Sequence, residues 1–142
     1  MEYLHTKPLL SQTVRSHVRN GNKAYGKQNY TDAEVAYKKA LEKDPKSPEA
    51  QFNLGNAYYK QNRHEEAGRQ FNTSAIAMGT AADRAKSHYN LGNSFFKADK
   101  LQESIEAYKQ SLRINPDDED TRYNLEVARK RKNDQQQQKN QQ

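Results

Sequence analysis

Three glycines divide most of this chain into segments of nearly equal length. Gly21, Gly55 and Gly92 are separated by 34 and then 37 residues. Around the second and third glycines, residues 52–60 and 89–97 share one pattern: aromatic-Asn-Leu-Gly-Asn, a small residue, two aromatic residues and Lys. A period of this length indicates stacked copies of one small supersecondary unit, each of which buries its apolar face against its neighbours.

Each period also carries small and aromatic residues at fixed distances after its glycine. A small residue follows twelve positions later, an aromatic residue four positions after that, and a second small residue after three more. Small residues let two helices approach closely, and the aromatic residues fill the space between neighbouring pairs of helices. The pattern therefore predicts helix hairpins, with helices near 14–27, 31–43, 48–61, 64–78, 84–98 and 101–114 and a seventh near 117–132.

Local signals predict several helix ends. Pro45 and Pro116 suit the first turn of a helix and are excluded from helix interiors, so they separate consecutive units. Ser47 comes directly before Pro48, as an N-cap residue does before a proline in the first turn. The run Thr31-Asp-Ala-Glu34 is a capping-box signature for the second helix.

The composition is unusual for a folded chain and narrows the possible classes of protein. Leu, Ile, Val and Phe make up only 20 of 142 residues, a low fraction that is associated with disorder in charged chains. The repeat resolves this conflict, because Tyr, Phe and Ala pack thin helical layers that need no deep core.

No apolar run is long enough to span a membrane, and the first ten residues lack the unbroken apolar stretch of a signal peptide. The absence of cysteine excludes disulfides and thiolate sites.

The polar residues are not arranged for catalysis. The four histidines show no metal-binding spacing, and the six glycines form no phosphate-binding loop. Glu65-Glu66 and Asp117–Asp120 lie at predicted helix N-termini, where carboxylates complement the helix dipole. The sequence therefore predicts that the protein is not an enzyme and has no metal site and no cofactor.

The repeating residues resemble the tetratricopeptide repeat (TPR), with its 34-residue period and its Leu-Gly, Tyr, Ala, aromatic, Ala, Pro pattern. The resemblance implies an all-α, right-handed superhelical solenoid of three helix-turn-helix repeats followed by a C-terminal capping helix. The implied segments are an N-terminal segment 1–13, TPR 1 at 14–47, TPR 2 at 48–84 with a three-residue extension, TPR 3 at 85–118, the capping helix 119–132 and a disordered Gln-rich tail 133–142.

The resemblance also implies a binding groove, because the first helices of the hairpins line a concave surface in a TPR stack. The predicted function is docking of a partner peptide or protein segment in this groove, with no small-molecule substrate. Amides would hold the peptide backbone, aromatic rings would cover its apolar side chains, and lysines would meet its carboxylates. The predicted groove residues are Arg15, Val18, Asn22, Tyr25, Glu49, Phe52, Asn53, Asn56, Tyr59, Lys60, Lys86, Tyr89, Asn90, Asn93, Phe96, Lys97 and Tyr123.

The C-terminal region resembles a narrower group of proteins. Three TPR units, the helix Asp117–Lys130 and the following Gln run are similar to the TPR proteins of Bacteroides-type aerotolerance (Bat) operons. This resemblance implies a scaffold in a cell-envelope complex for aerotolerance and oxidative stress, with a von Willebrand A-domain membrane protein as partner. It implies that this chain is a trimmed piece of a longer precursor and that its location is periplasmic or membrane-associated. Without this resemblance, a cytoplasmic location is expected.

A carboxylate clamp for a chaperone tail is an alternative within the same fold. Such clamps use two Asn and three basic residues, and Asn22, Asn53 and Lys86 match that pattern. Val18 and Asn90 stand where basic residues are needed, which should weaken carboxylate binding severely.

Two further alternatives are nucleic-acid binding and self-association. Helical repeats can read RNA, and residues 1–46 and 129–142 are basic, but the middle units are near neutral and offer no continuous phosphate track. The segment Met1–Thr13 could fill the groove of its own or another copy through Tyr3, Leu4, Leu9 and Leu10. The asparagines at 22, 56 and 93 are also compatible with a purely structural role in the hairpins.

Overall fold

The computed structural model describes residues 3–141 of the chain, and their side chains from Leu9 onward. The described range contains helices and no strand, so the predicted all-α solenoid fold is confirmed. The helices are α1 (Tyr3–Gly26), α2 (Tyr30–Lys43), α3 (Pro48–Lys60), α4 (His64–Ala77), α5 (Ala81–Lys97), α6 (Leu101–Ile114) and α7 (Glu119–Asn140). None of the described helices is both long and apolar enough to span a membrane.

The helices pack in chain order, as a solenoid requires. The hairpins α1–α2, α3–α4 and α5–α6 stack on one another, and α7 covers α6. The small residues of the repeat are fully buried at the helix contacts, namely Ala33, Ala40, Ala67, Ser74, Ser104 and Ser111. The serines among them satisfy their hydroxyls without water: Ser104 Oγ donates to the Gly92 carbonyl and Ser111 Oγ to the Ala85 carbonyl, each at 2.8 Å.

The repeating glycines are explained by the aromatic ring of the partner helix. The rings of Tyr37, Phe71 and Tyr108 lie directly on Gly21, Gly55 and Gly92. A Cβ atom at Gly55 would lie 2.7 Å from the Phe71 ring, which is closer than carbon atoms pack. The repeating glycines therefore allow the two helices of a hairpin to pack closely and do not mark turns.

Both ends of the chain are more helical than the sequence predicts. The first helix begins at Tyr3 and not near residue 14, and Thr13 Oγ1 donates to the Leu9 carbonyl at 3.0 Å within it. The tail predicted as disordered at 133–142 continues α7 to Asn140. Gln and Lys are good helix formers, and the Gln135 side chain donates to the Asp99 carboxylate at 3.0 Å. The contact between Gln135 and Asp99, which are 36 residues apart, is not visible in the low-complexity composition.

The three-residue extension of the second unit lengthens the fifth helix. Helix α4 ends at Ala77, whereas α5 begins at Ala81, three residues earlier than predicted. The Thr80 hydroxyl caps α5 by accepting from the Asp83 N–H at 3.1 Å. The extra turn is thus stabilised at its own N-terminus.

One predicted cap is confirmed and another is wrong. Ser47 Oγ accepts from the Ala50 N–H at 3.3 Å, with Pro48 in the first turn as predicted. In α2, however, the N-cap is Asn29 and not Thr31, so the predicted capping box does not form. Glu34, the last residue of that predicted capping box, instead accepts hydrogen bonds from residues of the next repeat.

Glu34 is the buried centre of a charge cluster that joins the first two hairpins. Glu34 is 8% exposed, and its carboxylate accepts from Lys38 at 2.6 Å, Gln61 at 3.0 Å and Arg63 at 2.5 Å. Arg63 also donates twice to Glu66, at 2.9 and 2.6 Å. Burial opposes the charge of Glu34, but the hydrogen bonds from Lys38 and Gln61 outweigh it and lower the pKa of its carboxyl.

We expect Glu34→Gln to lower the free energy of unfolding by about 2 kcal/mol at neutral pH, because charge-assisted hydrogen bonds are lost. A carboxyl with a lowered folded-state pKa stabilises the fold above its unfolded pKa and loses this contribution as pH falls through the folded value. The difference in free energy of unfolding between wild type and Glu34→Gln, measured by urea unfolding, should therefore shrink as the pH falls toward about 3. Glu106→Gln, which breaks an exposed pair with Lys109, is the matched control, and an equal loss in both variants would contradict the cluster's role.

Candidate peptide-binding groove

One face of the stack is formed by the first helix of each hairpin, α1, α3 and α5, together with α7. Asparagine side chains connect these helices by a row of amide hydrogen bonds, which we call the asparagine ladder. Its three bonds run from Nδ2 of the later residue to Oδ1 of the earlier one: Asn53 to Asn22 at 3.2 Å, Asn90 to Asn56 at 3.4 Å and Asn124 to Asn93 at 3.3 Å.

Tyrosines of the second helices fix two of the three ladder steps. Tyr37 donates its hydroxyl to Asn22 Oδ1 at 2.7 Å, and Tyr108 donates to Asn93 Oδ1 at 2.5 Å. Burial raises the pKa of Tyr37 to about 12, with smaller contributions from Tyr25 and Glu49, and burial also raises the pKa of Tyr108. Both phenols therefore stay protonated donors at neutral pH.

The middle step of the asparagine ladder lacks such a donor. Phe71 stands where the other repeats have tyrosine, so only Asn90 donates to Asn56 Oδ1 among the described residues. An amide oxygen has two lone pairs and its NH₂ has two donors. Asn56 thus keeps hydrogen-bonding capacity at the centre of the face.

Three depressions follow one another along this face. The N-terminal depression, about 340 Å³, is lined by Val14, Arg15, Val18, Arg19, Asn22, Ser47 and Glu49. The central depression, also about 340 Å³, is lined by Glu49, Phe52, Met78, Asp83 and Lys86. The C-terminal pocket, about 260 Å³, is lined by Tyr59, Asn93, Phe96, Lys97, Tyr108, Asn124 and Val127.

Cations lie over aromatic rings along the face. The Lys86 ammonium is 5.7 Å from the centre of the Phe52 ring, and the Arg131 guanidinium is 4.1 Å from that of Phe96. Within residues 9–141, neither cation forms an ion pair with a carboxylate. Such cations remain available to an acidic partner.

The side chains of His64 and His88 are partly buried. The pKa of His88 is lowered by burial, and that of His64 is lowered by burial and by the charge of Lys97. Both Nδ1 atoms are buried without a hydrogen-bond partner. No group of three or more His, Cys, Asp or Glu residues that could hold a metal ion occurs in the part of the chain that the structure describes.

Comparison with known proteins identifies the repeat. Two family profiles described as tetratricopeptide repeat match residues 18–83 and 85–118. The chain belongs to the tetratricopeptide-repeat family. No curated protein sequence matches this TPR protein significantly.

Several solved structures share the fold of this chain. The N-terminal domain of stress-induced protein-1 (STI-1) from C. elegans is 20% identical, with a TM-score of 0.77 over 84% of this chain and 97% of that chain. The first TPR of Spaghetti (RPAP3), bound to the HSP90 peptide SRMEEVD, is 22% identical, with a TM-score of 0.77 over 84% and 93%. The MamA protein is 25% identical, with a TM-score of 0.76 over 83% and 63%.

The structure brings most of the predicted groove residues of this TPR protein onto one face. Asn22, Asn53, Asn56, Asn90 and Asn93 are in the asparagine ladder. The predicted residues that line the depressions are Arg15, Val18, Asn22, Glu49, Phe52, Tyr59, Lys86, Asn93, Phe96 and Lys97.

Four predicted residues neither line one of the three depressions nor belong to the asparagine ladder. Tyr25 packs edge-on against Tyr30, with 5.1 Å between ring centres. Tyr89 accepts from Asn124 at 3.3 Å. Lys60 is exposed at the end of α3, and Tyr123 is 70% exposed on α7.

The sequence did not single out three residues of the C-terminal pocket. These are Tyr108, Asn124 and Val127. The repeat period contained the necessary signal, since Asn124 follows Asn90 by 34 residues and Val127 follows Asn93 by 34. The TPR resemblance assigns this helix a capping role and only its Tyr123 to the groove, so Asn124 and Val127 are not predicted there.

Proposed function

We propose that this TPR protein is a non-enzymatic adaptor that binds an extended segment of a partner protein across the face formed by α1, α3, α5 and α7. The segment would lie along the asparagine ladder and place side chains in the three depressions. TPR relatives with the same fold are seen with peptides bound, including an HSP90 peptide on the first TPR of Spaghetti.

The observation that carries this proposal is the middle step of the asparagine ladder, where Asn56 Oδ1 accepts from Asn90 but has no tyrosine donor among the described residues. Asn56 lies between the central depression and the C-terminal pocket in the chain order of the face, and its amide is only partly used. A fixed amide with one free acceptor and free donors matches the alternating N–H and C=O groups of an extended peptide.

The proposal is tested by selecting binders from a displayed random dodecapeptide library and measuring their Kd by fluorescence anisotropy. We expect Asn56→Ala to weaken binding about tenfold, since a peptide hydrogen bond in a desolvated groove is lost. Ile76→Ala on α4, where the side chain is 79% exposed, is the control and should leave Kd unchanged. Equal effects of both substitutions would contradict binding at this face.

The geometry does not favour a carboxylate clamp. Val18 is 6% exposed and supplies no charge, and the Asn90 amide is engaged with Asn56. Asn22 Oδ1 is already bonded to Tyr37 and Asn53. The peptide SRMEEVD and its C-terminally amidated form should therefore bind equally, whereas a strong preference for the free acid would establish the clamp.

The finer role that we propose is that of a scaffold in a cell-envelope complex for aerotolerance and oxidative stress. This role rests on the similarity of Asp117–Lys130 and the following Gln run to TPR proteins of aerotolerance operons. The partner would be a von Willebrand A-domain membrane protein, and the location would be periplasmic or membrane-associated. An A-domain reading frame next to the gene, and loss of co-purification with Asn56→Ala, would support it.

A further inference from the structure

Resting on the proposed function, we propose that the C-terminal pocket selects the partner by binding an aromatic or large aliphatic side chain that is flanked by acidic residues. The ligand is thus an acidic peptide with one apolar anchor. The pocket is formed by α3, α5, α6 and α7, so the capping helix contributes directly to the site.

The pocket has the size and walls for an apolar anchor. Its volume of about 260 Å³ exceeds the roughly 150 Å³ of an engineered apolar cavity that holds benzene. The rings of Tyr59 and Phe96 and the side chain of Val127 form its apolar walls. Burying an anchor here would remove apolar surface from water on both partners.

Val127 is what distinguishes this pocket from the rest of the face. It occupies the repeat position held by Asn22, Asn56 and Asn93 in the three TPR units. An amide at this position would need hydrogen-bond partners if an apolar ligand covered it. The valine removes that requirement, so the end of the asparagine ladder accepts an apolar group.

The polar groups of the pocket are already fixed without a ligand. Asn93 Oδ1 accepts from both Tyr108 and Asn124, and the Asn124 amide also contacts the Tyr89 hydroxyl at 3.3 Å. A pocket with fixed walls loses little side-chain freedom when it binds.

The charge at the rim favours acidic residues beside the anchor. Lys97 lines the pocket and Arg131 lies over the Phe96 ring at 4.1 Å. Neither forms an ion pair within residues 9–141. Two carboxylates line a depression with Arg131, and both have partners: Asp134 pairs with Lys130, and Asp99 accepts from Gln135. An incoming carboxylate would meet two cations that form no ion pair of their own within the described side chains.

The experiment selects peptides from the same random dodecapeptide library on the full chain and then measures two pocket variants. We expect the enriched peptides to share one Phe, Tyr, Trp, Leu or Ile next to Asp or Glu. For such a peptide, Lys97→Glu should raise Kd about tenfold by reversing the rim charge. Val127→Asn should raise Kd about fivefold by leaving a covered amide unpaired.

Matched controls lie on α2, away from the pocket. Lys39→Glu and Val35→Asn make the same chemical changes at exposed positions and should leave Kd within about twofold. Circular dichroism of each variant checks that the helices remain. If Val127→Asn disturbs packing, Lys97→Glu still tests the pocket, because Lys97 is exposed.

The outcomes separate the pocket from the proposed function. Enriched peptides that are neutral or basic, or a Kd that neither pocket variant changes while Asn56→Ala still weakens binding, would overturn the pocket assignment alone. Failure to enrich any peptide would overturn both proposals.

Discussion

Gly92→Ala is expected to lower the free energy of unfolding by about 2–3 kcal/mol, because the new Cβ has no space. The Tyr108 ring lies on the Gly92 backbone and is 1% exposed, so it cannot move aside into solvent. The ring is also tied to Asn93 through its hydroxyl. Urea unfolding followed by circular dichroism gives the difference directly.

The same substitution at Gly68 is the matched control. Gly68 is also buried within a helix, but a Cβ there would meet Phe95 and Leu91 at 3.5–3.8 Å, which is ordinary contact. Gly68→Ala should therefore stabilise the protein by about 0.5–1 kcal/mol through helix propensity. A loss of stability at both glycines would show that ring contact is not the reason for the repeating glycine.

The second large effect is expected at Phe71, where two substitutions should act in opposite directions. Phe71 is 1% exposed and packs edge-on against Phe52, with 5.5 Å between ring centres. Phe71→Ala should lower the free energy of unfolding by about 3–5 kcal/mol, through lost apolar burial and the cavity left between α3 and α4.

Phe71→Tyr should instead raise the free energy of unfolding by about 1 kcal/mol. It gives the second repeat the tyrosine that bonds Asn22 in the first and Asn93 in the third. The new hydroxyl should donate to Asn56 Oδ1 and fill its free lone pair. Peptide affinity should fall at the same time, and a variant that gains stability without losing affinity would argue against Asn56 as a peptide contact.

The fold could be predicted from the sequence because the repeat encodes it several times. The same spacing of glycine, small and aromatic residues occurs in all three repeats, and each repeat predicts the same helix contacts. The ends were predicted less well. The helical segments 3–13 and 133–140 lie outside the repeated pattern, so the repeat does not predict them. The side chains of Tyr3 and Leu4, predicted to contact the groove, lie outside the described ones, and Leu9 and Leu10 are 63% and 46% exposed.

The candidate site was predicted as a face but not as a set of contacts. Repeat positions placed the asparagines on the first helices, yet the bonds between successive repeats depend on side-chain direction across two helices. The Glu34 cluster was missed for the same reason, since its partners Gln61 and Arg63 are 27 and 29 residues away. The pocket at the end of the groove became visible only when α7 was placed against α5 and α6.

Binding across the asparagine ladder is the central claim, and the side-chain amide signals of the asparagines test it most directly. Titration of ¹⁵N-labelled protein with a selected peptide should shift the NH₂ signals of Asn56, Asn90 and Asn93. The NH₂ signal of Asn72, exposed on α4, should stay in place. Shifts at Asn72 with none in the asparagine ladder would contradict the account.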